Sequence, residues 1–320
     1  MNRKTFFLTV LLVMVVLAYT GVVMAAGKTI GIIQYVEHNA LDASREGFIK
    51  ALEDSGFVIG EDVDIDYQNA QGDAANLSTI SDRFVARKVD LVLAIATPAA
   101  QSIAGKTMDI PILATAVTDF EVARLVDSNE VPGGNVTGTT DMNPIRDQIA
   151  LLLELVPEAK KIGLLYTSSE DNSVLQAQIA KKIIMDLGLE YQEVTISNSN
   201  EVQQAAQSLA RKVDALYIPT DNIVASSMPV VYGVSVDAKL PVINGEENQV
   251  VNGGLATLGV NYFDLGYQTG LMAVRIFNGE EPSTMPIEGA RGFDYIINGG
   301  VAEEIGLAIP EHLLEHVVHF

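Results

Sequence analysis

The sequence predicts an α/β protein of two doubly wound, parallel-sheet lobes joined by a multi-segment hinge. Short apolar runs rich in β-branched residues alternate with amphipathic helical stretches, which is typical of parallel strands connected by crossover helices. The chain has 320 residues, of which 48% are hydrophobic, so two domains with a core each are expected. Two short sequences of the first half also recur, in the same order, in the second half.

Eight strands are predicted from the apolar runs, at residues 29–34, 63–67, 91–96, 112–114, 162–166, 191–196, 215–218 and 242–243. Helices are predicted between them. Asp73 is expected to cap a helix that buries one face, formed by Leu77, Ile80 and Phe84. Ser199 is expected to cap another helix, whose inward residues are Val202, Ala205, Ala206 and Leu209.

The internal repeat relates residues 28–32 to 160–164 and residues 86–90 to 210–214, with offsets of 132 and 124 residues. These similar offsets predict that the second half repeats a βαβαβ unit of the first, with the chain passing between the halves at residues 132–135. The expected limits are 28–141 plus about 262–285 for the first lobe, and about 142–261 plus 286–320 for the second. Two such lobes leave a crevice between the carboxyl ends of their sheets.

The N-terminus predicts export. Arg3 and Lys4 precede an apolar run at residues 6–18, and small residues follow at Val23 and Ala25, as in a cleaved signal peptide of residues 1–25. The alternative of an uncleaved membrane anchor stays open, because residues 6–26 are just long enough to span a bilayer. After cleavage the protein is expected to be soluble, acidic and periplasmic.

Composition excludes several classes of function. The formal net charge of −21 argues against binding to nucleic acid or to an anionic lipid surface. The absence of cysteine excludes disulfides, thiol catalysis, Cys-ligated metals and an N-terminal lipidated Cys, so no lipid anchor is expected.

Catalytic motifs are incomplete. Residues 312–316 match the H-x-x-E-H zinc-protease pattern, but no downstream carboxylate follows. Residues 105–107 resemble the end of a phosphate-binding loop, but Ala100 stands where its first glycine would be. We therefore expect no enzymatic activity, no resident metal and no cofactor.

Polar loops follow the predicted strands and suggest a site for a small zwitterion. Thr97 can begin a helix after the third strand, which would leave the amides of Ala99 and Ala100 free to meet a carboxylate. Asp221 lies in the equivalent loop of the second half and needs a cation if a cleft buries it, for which an ammonium group is the natural partner. Both residues also fit the alternative of ordinary helix caps.

Five segments, taken in order, resemble the substrate-binding proteins of ABC importers of the tryptophan/tyrosine type, which have the type I periplasmic-binding-protein fold. They are Gly31-Ile32-Ile33-Gln34 with His38 and Leu41, residues 96–101, residues 132–138, residues 217–222, and residues 254–260 followed by Tyr262, Leu265, Gly266 and Gly270.

The resemblance implies an exported protein that captures an amino acid, expected to be aromatic, between two lobes and delivers it to an ABC permease with its ATPase. Contact with the membrane is then made only through the permease. The resemblance also implies that Thr97, Ala99 and Ala100 hold the ligand carboxylate and that Asp221 holds its ammonium group. The remaining lining residues would be Gln34, Thr115, Ser168, Asn172, Thr220, Asn222 and Glu246. An exported sensor that presents its closed form to a membrane receptor is the alternative.

Overall fold

The structure of the protein is a computed structural model that describes residues 27–320. The signal peptide expected at residues 1–25 lies outside these residues. Two sheets with flanking helices form two lobes. Within residues 27–320, no helix is both long enough and apolar enough to cross a membrane.

The described residues contain all eight predicted strands and five further ones. In chain order the strands are β1 (Lys28–Gln34), β2 (Val63–Asn69), β3 (Leu91–Ile95), β4 (Ile112–Val117), β5 (Val136–Thr140), β6 (Lys161–Thr167), β7 (Glu190–Ile196), β8 (Ala215–Ile218), β9 (Val242–Asn244), β10 (Ala256–Gly259), β11 (Glu288–Gly289), β12 (Asp294–Asn298) and β13 (Val317–Val318). The helices are α1 (Asn39–Asp54), α2 (Ala74–Arg87), α3 (Thr97–Ala104), α4 (Ile145–Leu155), α5 (Asp171–Asp186), α6 (Val202–Ala210), α7 (Asn222–Ala225), α8 (Met228–Ala238), α9 (Glu247–Val251), α10 (Tyr262–Phe277) and α11 (Gly299–Ile305).

The first lobe contains a parallel sheet in the order β11-β5-β4-β3-β1-β2. Strands β1, β3 and β4 are almost wholly buried, as expected for the centre of a sheet that is covered on both faces. Helices α1 and α10 pack together on this sheet. A Cβ atom at Gly266 would lie 1.9 Å from the carbonyl oxygen of Ser44, so their close approach requires glycine.

The second lobe contains a sheet in the order β13-β12-β10-β9-β8-β6-β7. Its strands are parallel to their neighbours except that β12 runs antiparallel to β10. The α/β fold class is therefore confirmed, with one antiparallel pair that the sequence does not predict.

The internal repeat has a structural counterpart. Asp90 Oδ2 accepts a hydrogen bond of 2.8 Å from the Thr29 backbone N–H, and Asp214 Oδ2 accepts one of 2.9 Å from the Lys161 backbone N–H. Each carboxylate thus fixes the start of the first strand of its lobe. The repeated segments occupy equivalent places in the two sheets.

The chain crosses between the lobes at residues 141–144, 260–261 and 290–293. Residues 132–135 precede β5 within the first lobe, so the prediction that they connect the lobes is wrong. Strand β11 pairs with β5 at Glu288–Gly289, which carries the first lobe a few residues past the expected limit of about 285. The carboxyl-terminal segment of the second lobe follows this third crossing.

Two predicted helix starts have different outcomes. Asp73 caps α2 as predicted, with its Oδ1 accepting from the backbone N–H groups of Ala75 and Asn76 at 2.8 and 2.9 Å. The Ser199 cap is wrong, because residues 199–201 form a 3-10 turn that Asn198 caps, and α6 begins only at Val202.

Candidate functional site

A narrow cleft lies between the carboxyl ends of the two sheets. Its wall on the side of the first lobe and the hinge is formed by His38, Leu41, Ala116, Asp141 and Tyr262. Its second-lobe wall is formed by Asn172, Thr220, Asp221, Asn222, Ala225, Glu246 and Gln249. Both lobes therefore contribute polar side chains to one cleft.

The structure brings together only part of the predicted set of site residues. Five of them line the cleft, namely Asn172, Thr220, Asp221, Asn222 and Glu246. The other six predicted residues do not line it: Gln34, Thr97, Ala99, Ala100, Thr115 and Ser168.

Asp221 follows β8 and is 1% exposed. Its Oδ1 accepts from the Val224 backbone N–H and from the Thr167 hydroxyl, both at 2.8 Å, and its Oδ2 accepts from the Thr167 backbone N–H at 2.5 Å. The carboxyl group thus caps the short helix α7 and also faces the cleft. Burial raises the pKa of Asp221 despite these donors.

Glu170 lies behind Asp221 and is also 1% exposed. Its oxygens accept from the backbone N–H groups of Asn222 and Ile223, each at 3.2 Å, and from the Asn222 side-chain amide at 2.5 Å. Burial, followed by the nearby Asp221 carboxyl, raises the pKa of Glu170 to about 8. Two acids are therefore crowded at the start of one helix, where only one of them can be ionised without a cation.

Asn172 presents an oxygen to this part of the cleft. Its Nδ2 donates to the Thr220 carbonyl at 2.9 Å, while its Oδ1 is buried and has no hydrogen-bond partner among the described residues. Because a buried unpaired acceptor costs free energy, this oxygen needs a donor from another molecule.

At the hinge, Asp141 and Tyr262 join two of the crossing segments. The Tyr262 hydroxyl donates to Asp141 Oδ2 at 2.6 Å, and the Thr118 hydroxyl donates to Asp141 Oδ1 at 3.0 Å. Gln176 of the second lobe donates to Thr118 Oγ1 at 2.9 Å. This chain of hydrogen bonds links the first lobe, the hinge and the second lobe in one arrangement. Burial raises the pKa of Asp141.

Glu246 follows β9 and lines the cleft near the hinge, with 3% of its surface exposed. Its Oε2 caps α9 by accepting from the Asn248 backbone N–H at 2.5 Å. Its Oε1 has no hydrogen-bond partner among the described residues. Burial raises the pKa of Glu246 to about 8.

His38 extends from the first lobe, where it precedes α1. Its Nε2 lies 3.3 Å from the Asn222 Oδ1 of the second lobe. Burial lowers the pKa of His38 to about 4, so the ring is neutral at pH 7 and gives no positive charge to the cleft. No Lys or Arg is among the described residues that line the cleft. Its acidic groups therefore lack a protein cation.

The start of α3 differs from its predicted form. The amides of Ala99 and Ala100 both donate to the Ala96 carbonyl at 3.1 Å, so they are not free, because the first turn of the helix already uses them. Thr97 is the first helical residue and not the cap, and its Oγ1 is buried with no partner among the described residues. What this helix start offers a ligand is the Thr97 hydroxyl.

Two alanines near the carboxyl ends of β3 and β4 have positive φ angles. Ala96 follows β3 with φ +84°, and Ala116 lies within β4 with φ +55°. At Gly138 a Cβ atom would lie 1.8 Å from the Ala114 carbonyl oxygen, and the β4–β5 register shifts just after this contact. The shift places Ala116 on the cleft wall. Such strained positions are concentrated at ligand sites.

Three predicted residues make contacts inside their own lobes. Gln34 Nε2 donates to the Val36 carbonyl, and its Oε1 accepts from Arg45, at 2.9 and 2.8 Å. Thr115 accepts from the Thr139 hydroxyl at 3.0 Å, and Ser168 donates to the Ile196 carbonyl at 3.2 Å. Their polar groups are satisfied without a ligand.

The sequence analysis missed several residues of the site: Asp141, Glu170, Gln249 and Tyr262, and the neighbouring Thr118 and Gln176. His38 and Leu41 carried the family resemblance but were not assigned to the site. Glu170 had a detectable signal, since it lies in a polar loop after a predicted strand. Asp141 and Tyr262 lie at crossings between the lobes, and their proximity depends on the hinge.

A family model described as ABC transporter substrate binding protein matches residues 29–319. The chain belongs to this family. The family consists of solute-binding proteins and not of enzymes, and its members are extracytoplasmic. The fold is the type I periplasmic-binding-protein fold.

One relative is the tyrosine-binding protein of Clostridioides difficile (strain R20291), 45% identical over 271 residues, which cover 85% of this chain and 79% of the relative. A solved structure of an ABC domain in complex with L-Trp, from Streptococcus pneumoniae, is 37% identical. It has a TM-score of 0.88 and covers 92% of this chain and 100% of its own.

The ligand-free, open structure of a substrate-binding protein with adhesive properties from Clostridium difficile is 46% identical and covers 92% of this chain and 99% of its own, but its TM-score is only 0.70. The present structure is thus more similar to the L-Trp complex than to the open structure, although the open structure is more similar in sequence. The lobes are therefore in an arrangement close to that of the ligand complex.

Proposed function

We propose that this protein binds an aromatic amino acid, tyrosine or tryptophan, between its lobes and delivers it to an ABC import permease. The observation that carries the proposal is the buried acidic wall around Asp221 and Glu170, next to the unpartnered Asn172 Oδ1, in a cleft that has no Lys or Arg among its described lining residues. A ligand ammonium group supplies both the missing positive charge and a donor for this oxygen.

The ligand carboxylate is assigned to the first lobe at the start of α3. Thr97 is outside the described lining of the cleft, but its hydroxyl is 2% exposed with no partner among the described residues, and the dipole of α3 favours an anion at its N-terminus. Ammonium on one lobe and carboxylate on the other would make the ligand a bridge, which favours the closed arrangement. The names of the relatives, which bind tyrosine or were solved with L-Trp, support an aromatic side chain.

Export and partners are also part of the proposal. Residues 1–25 would act as a cleaved signal peptide, which leaves a freely diffusing periplasmic protein without a lipid anchor. The permease and its ATPase would receive the ligand from the closed form. The alternative of an exported sensor makes the same binding predictions but predicts no loss of uptake when the gene is deleted.

Calorimetry with tyrosine, tryptophan, tyramine and N-acetyltyrosine tests the binding site. Tyrosine should bind, whereas tyramine, which lacks the carboxylate, and N-acetyltyrosine, which lacks the ammonium group, should each bind much more weakly. Absence of heat with every aromatic amino acid would refute the function. Uptake of labelled tyrosine by a deletion strain, with and without the complementing gene, separates the importer from the sensor.

A further inference from the structure

The cleft has a second unpartnered acceptor, distant from the ammonium site. Glu246 follows β9 and Asn172 follows β6, and β8 lies between these strands in the sheet. Two inter-strand spacings separate their carboxyl ends by about 10 Å. Glu246, Asn172 and Asp221 line the same cleft, and tyrosine with a hydrogen bond at its ammonium group and another at its phenol oxygen spans a separation of this order.

Oε1 of Glu246 makes no hydrogen bond within the described residues. Oε2 is occupied as the cap of α9, while Oε1 is buried and unpartnered, although the backbone N–H of Gln249 lies near the carboxyl group and lowers its pKa. The nearby hydroxyl of Tyr262 donates to Asp141, and the side-chain amide of Gln249 donates to the Pro219 carbonyl at 3.1 Å. These two side chains therefore do not donate to Oε1, which leaves it available to a group of the ligand.

We propose that Glu246 determines specificity by binding the polar group on the ligand's aromatic ring, with Oε1 accepting a hydrogen bond from the phenol hydroxyl of tyrosine or the indole N–H of tryptophan. The inference rests on the proposed function, because it takes the ammonium group to lie at Asp221 and Asn172. It adds that the substrate class is aromatic amino acids with a polar ring substituent or ring N–H, and that phenylalanine is rejected.

The chemistry of the carboxyl group favours tyrosine in particular. A phenol hydroxyl both donates and accepts, so it can bond to Glu246 whether the carboxyl is protonated or ionised. Phenylalanine offers neither group, and its binding would leave Oε1 desolvated and unpaired. Sites that bond to a substrate hydroxyl discriminate strongly against analogues that lack it. We expect tyrosine to bind at least about tenfold more tightly than phenylalanine.

The test measures dissociation constants of the full protein for tyrosine and phenylalanine by calorimetry, in wild type, Glu246→Met, Glu246→Gln and Glu247→Gln. Methionine has a similar length but cannot bond to the ring group, so the tyrosine preference should fall to within about threefold. Glutamine keeps an oxygen for the α9 cap and an amide for the phenol, so it should retain part of the preference. Glu247 begins α9 but does not line the cleft, and its variant should behave as wild type.

Three results overturn the inference. Equal wild-type affinities for tyrosine and phenylalanine would remove the discrimination while leaving the proposed function intact. If Glu246→Met and Glu246→Gln weaken both ligands by the same factor, Glu246 binds the common ammonium group or only supports the fold. If wild type binds no aromatic amino acid, the proposed function fails and this inference fails with it.

Discussion

Replacement of Asp221 by asparagine tests the proposed ammonium site most directly. The substitution removes the charge but keeps the size of the side chain. Asn Oδ1 can still accept from the Val224 backbone N–H and the Thr167 hydroxyl, so the cap of α7 survives. The position of Oδ2 becomes an NH₂ group, which cannot accept from the Thr167 backbone N–H.

Two magnitudes follow from these contacts. Loss of one buried hydrogen bond should lower the free energy of unfolding by about 1–3 kcal/mol, less whatever is regained when repulsion with Glu170 ends. Loss of a buried partner of the ligand ammonium should weaken binding by about 2–5 kcal/mol. The second effect corresponds to an increase in Kd of roughly 30-fold to several thousand-fold.

Thr167→Val provides a matched control. It removes the Thr167 hydroxyl donor to Asp221, keeps the backbone N–H and leaves the charge in place. We expect a loss of about 1 kcal/mol in unfolding free energy and a change in Kd of less than about fivefold. Calorimetry with tyrosine gives the affinities, and thermal unfolding of the unliganded proteins gives the stabilities.

The comparison separates binding from folding. If Asp221→Asn protein binds tyrosine within about threefold of wild type, or if both variants lose affinity in proportion to their stability, Asp221 does not pair with the ammonium group. The burial of the Asp221 carboxyl group would then need another explanation, and Glu170 would be the next residue to replace.

Binding should strengthen as pH rises from 6 to about 8, because the ligand ammonium group displaces the proton of Glu170, whose pKa burial raises to about 8; equal calorimetric heats in buffers of different ionisation enthalpy would exclude this proton release. Because burial raises the pKa of both Glu170 and Glu246 to about 8, the stability of the unliganded protein should fall as pH rises from about 6.5, above which the buried His38 no longer contributes a pH dependence, to about 8, and a melting temperature that rises over this range would contradict the burial. Thr97→Val should weaken tyrosine binding by about 1–3 kcal/mol. If the wild-type protein binds tyrosinamide as tightly as tyrosine, Thr97 does not bind a ligand carboxylate. Thr118→Val should break the hydrogen-bonded link from Gln176 to Asp141 and favour the open form. The radius of gyration measured by small-angle scattering should then increase, and an unchanged value would refute this prediction.

The strands with uniform apolar sequences were predictable because burial on both faces leaves a continuous signal. The sequence of β5, Val-Thr-Gly-Thr-Thr, does not carry that signal, although the strand is nearly buried. The hydroxyl of Thr139 donates to Thr115 Oγ1, and the hydroxyl of Thr137 donates to the Met285 carbonyl. Only the tertiary structure brings these acceptors close. Strands β11 and β13 have only two residues each, so their sequences contain no detectable strand pattern either.

The second-lobe wall was predictable for a related reason. Thr220 and Asp221 lie in the loop after β8, and Asn172 lies at the start of the helix that follows β6, and the segments beyond the ends of parallel strands meet at one edge of the sheet. Gln34 and Thr115 still belong to their strands, so their side chains point to a sheet face and not forward into the cleft. That distinction depends on where each strand ends, which the sequence does not determine to within a residue.

Only a few described hydrogen bonds join the lobes in the closed arrangement. They include the bonds from Gln176 to Thr118 and from Gln101 to Asp171, together with the contact of His38 with Asn222, and a typical hydrogen bond contributes about 0.5–1.5 kcal/mol.

Against them stand carboxyl groups that closure buries without a cation. At neutral pH such groups must either keep a proton or repel each other. A ligand ammonium group replaces the proton with a fixed charge and donates to oxygens that are otherwise unpaired. The ligand therefore stabilises the closed arrangement specifically, since the open arrangement leaves the same carboxylates to water. Under the proposed function, the closed arrangement would then signal to the permease that the ligand is bound.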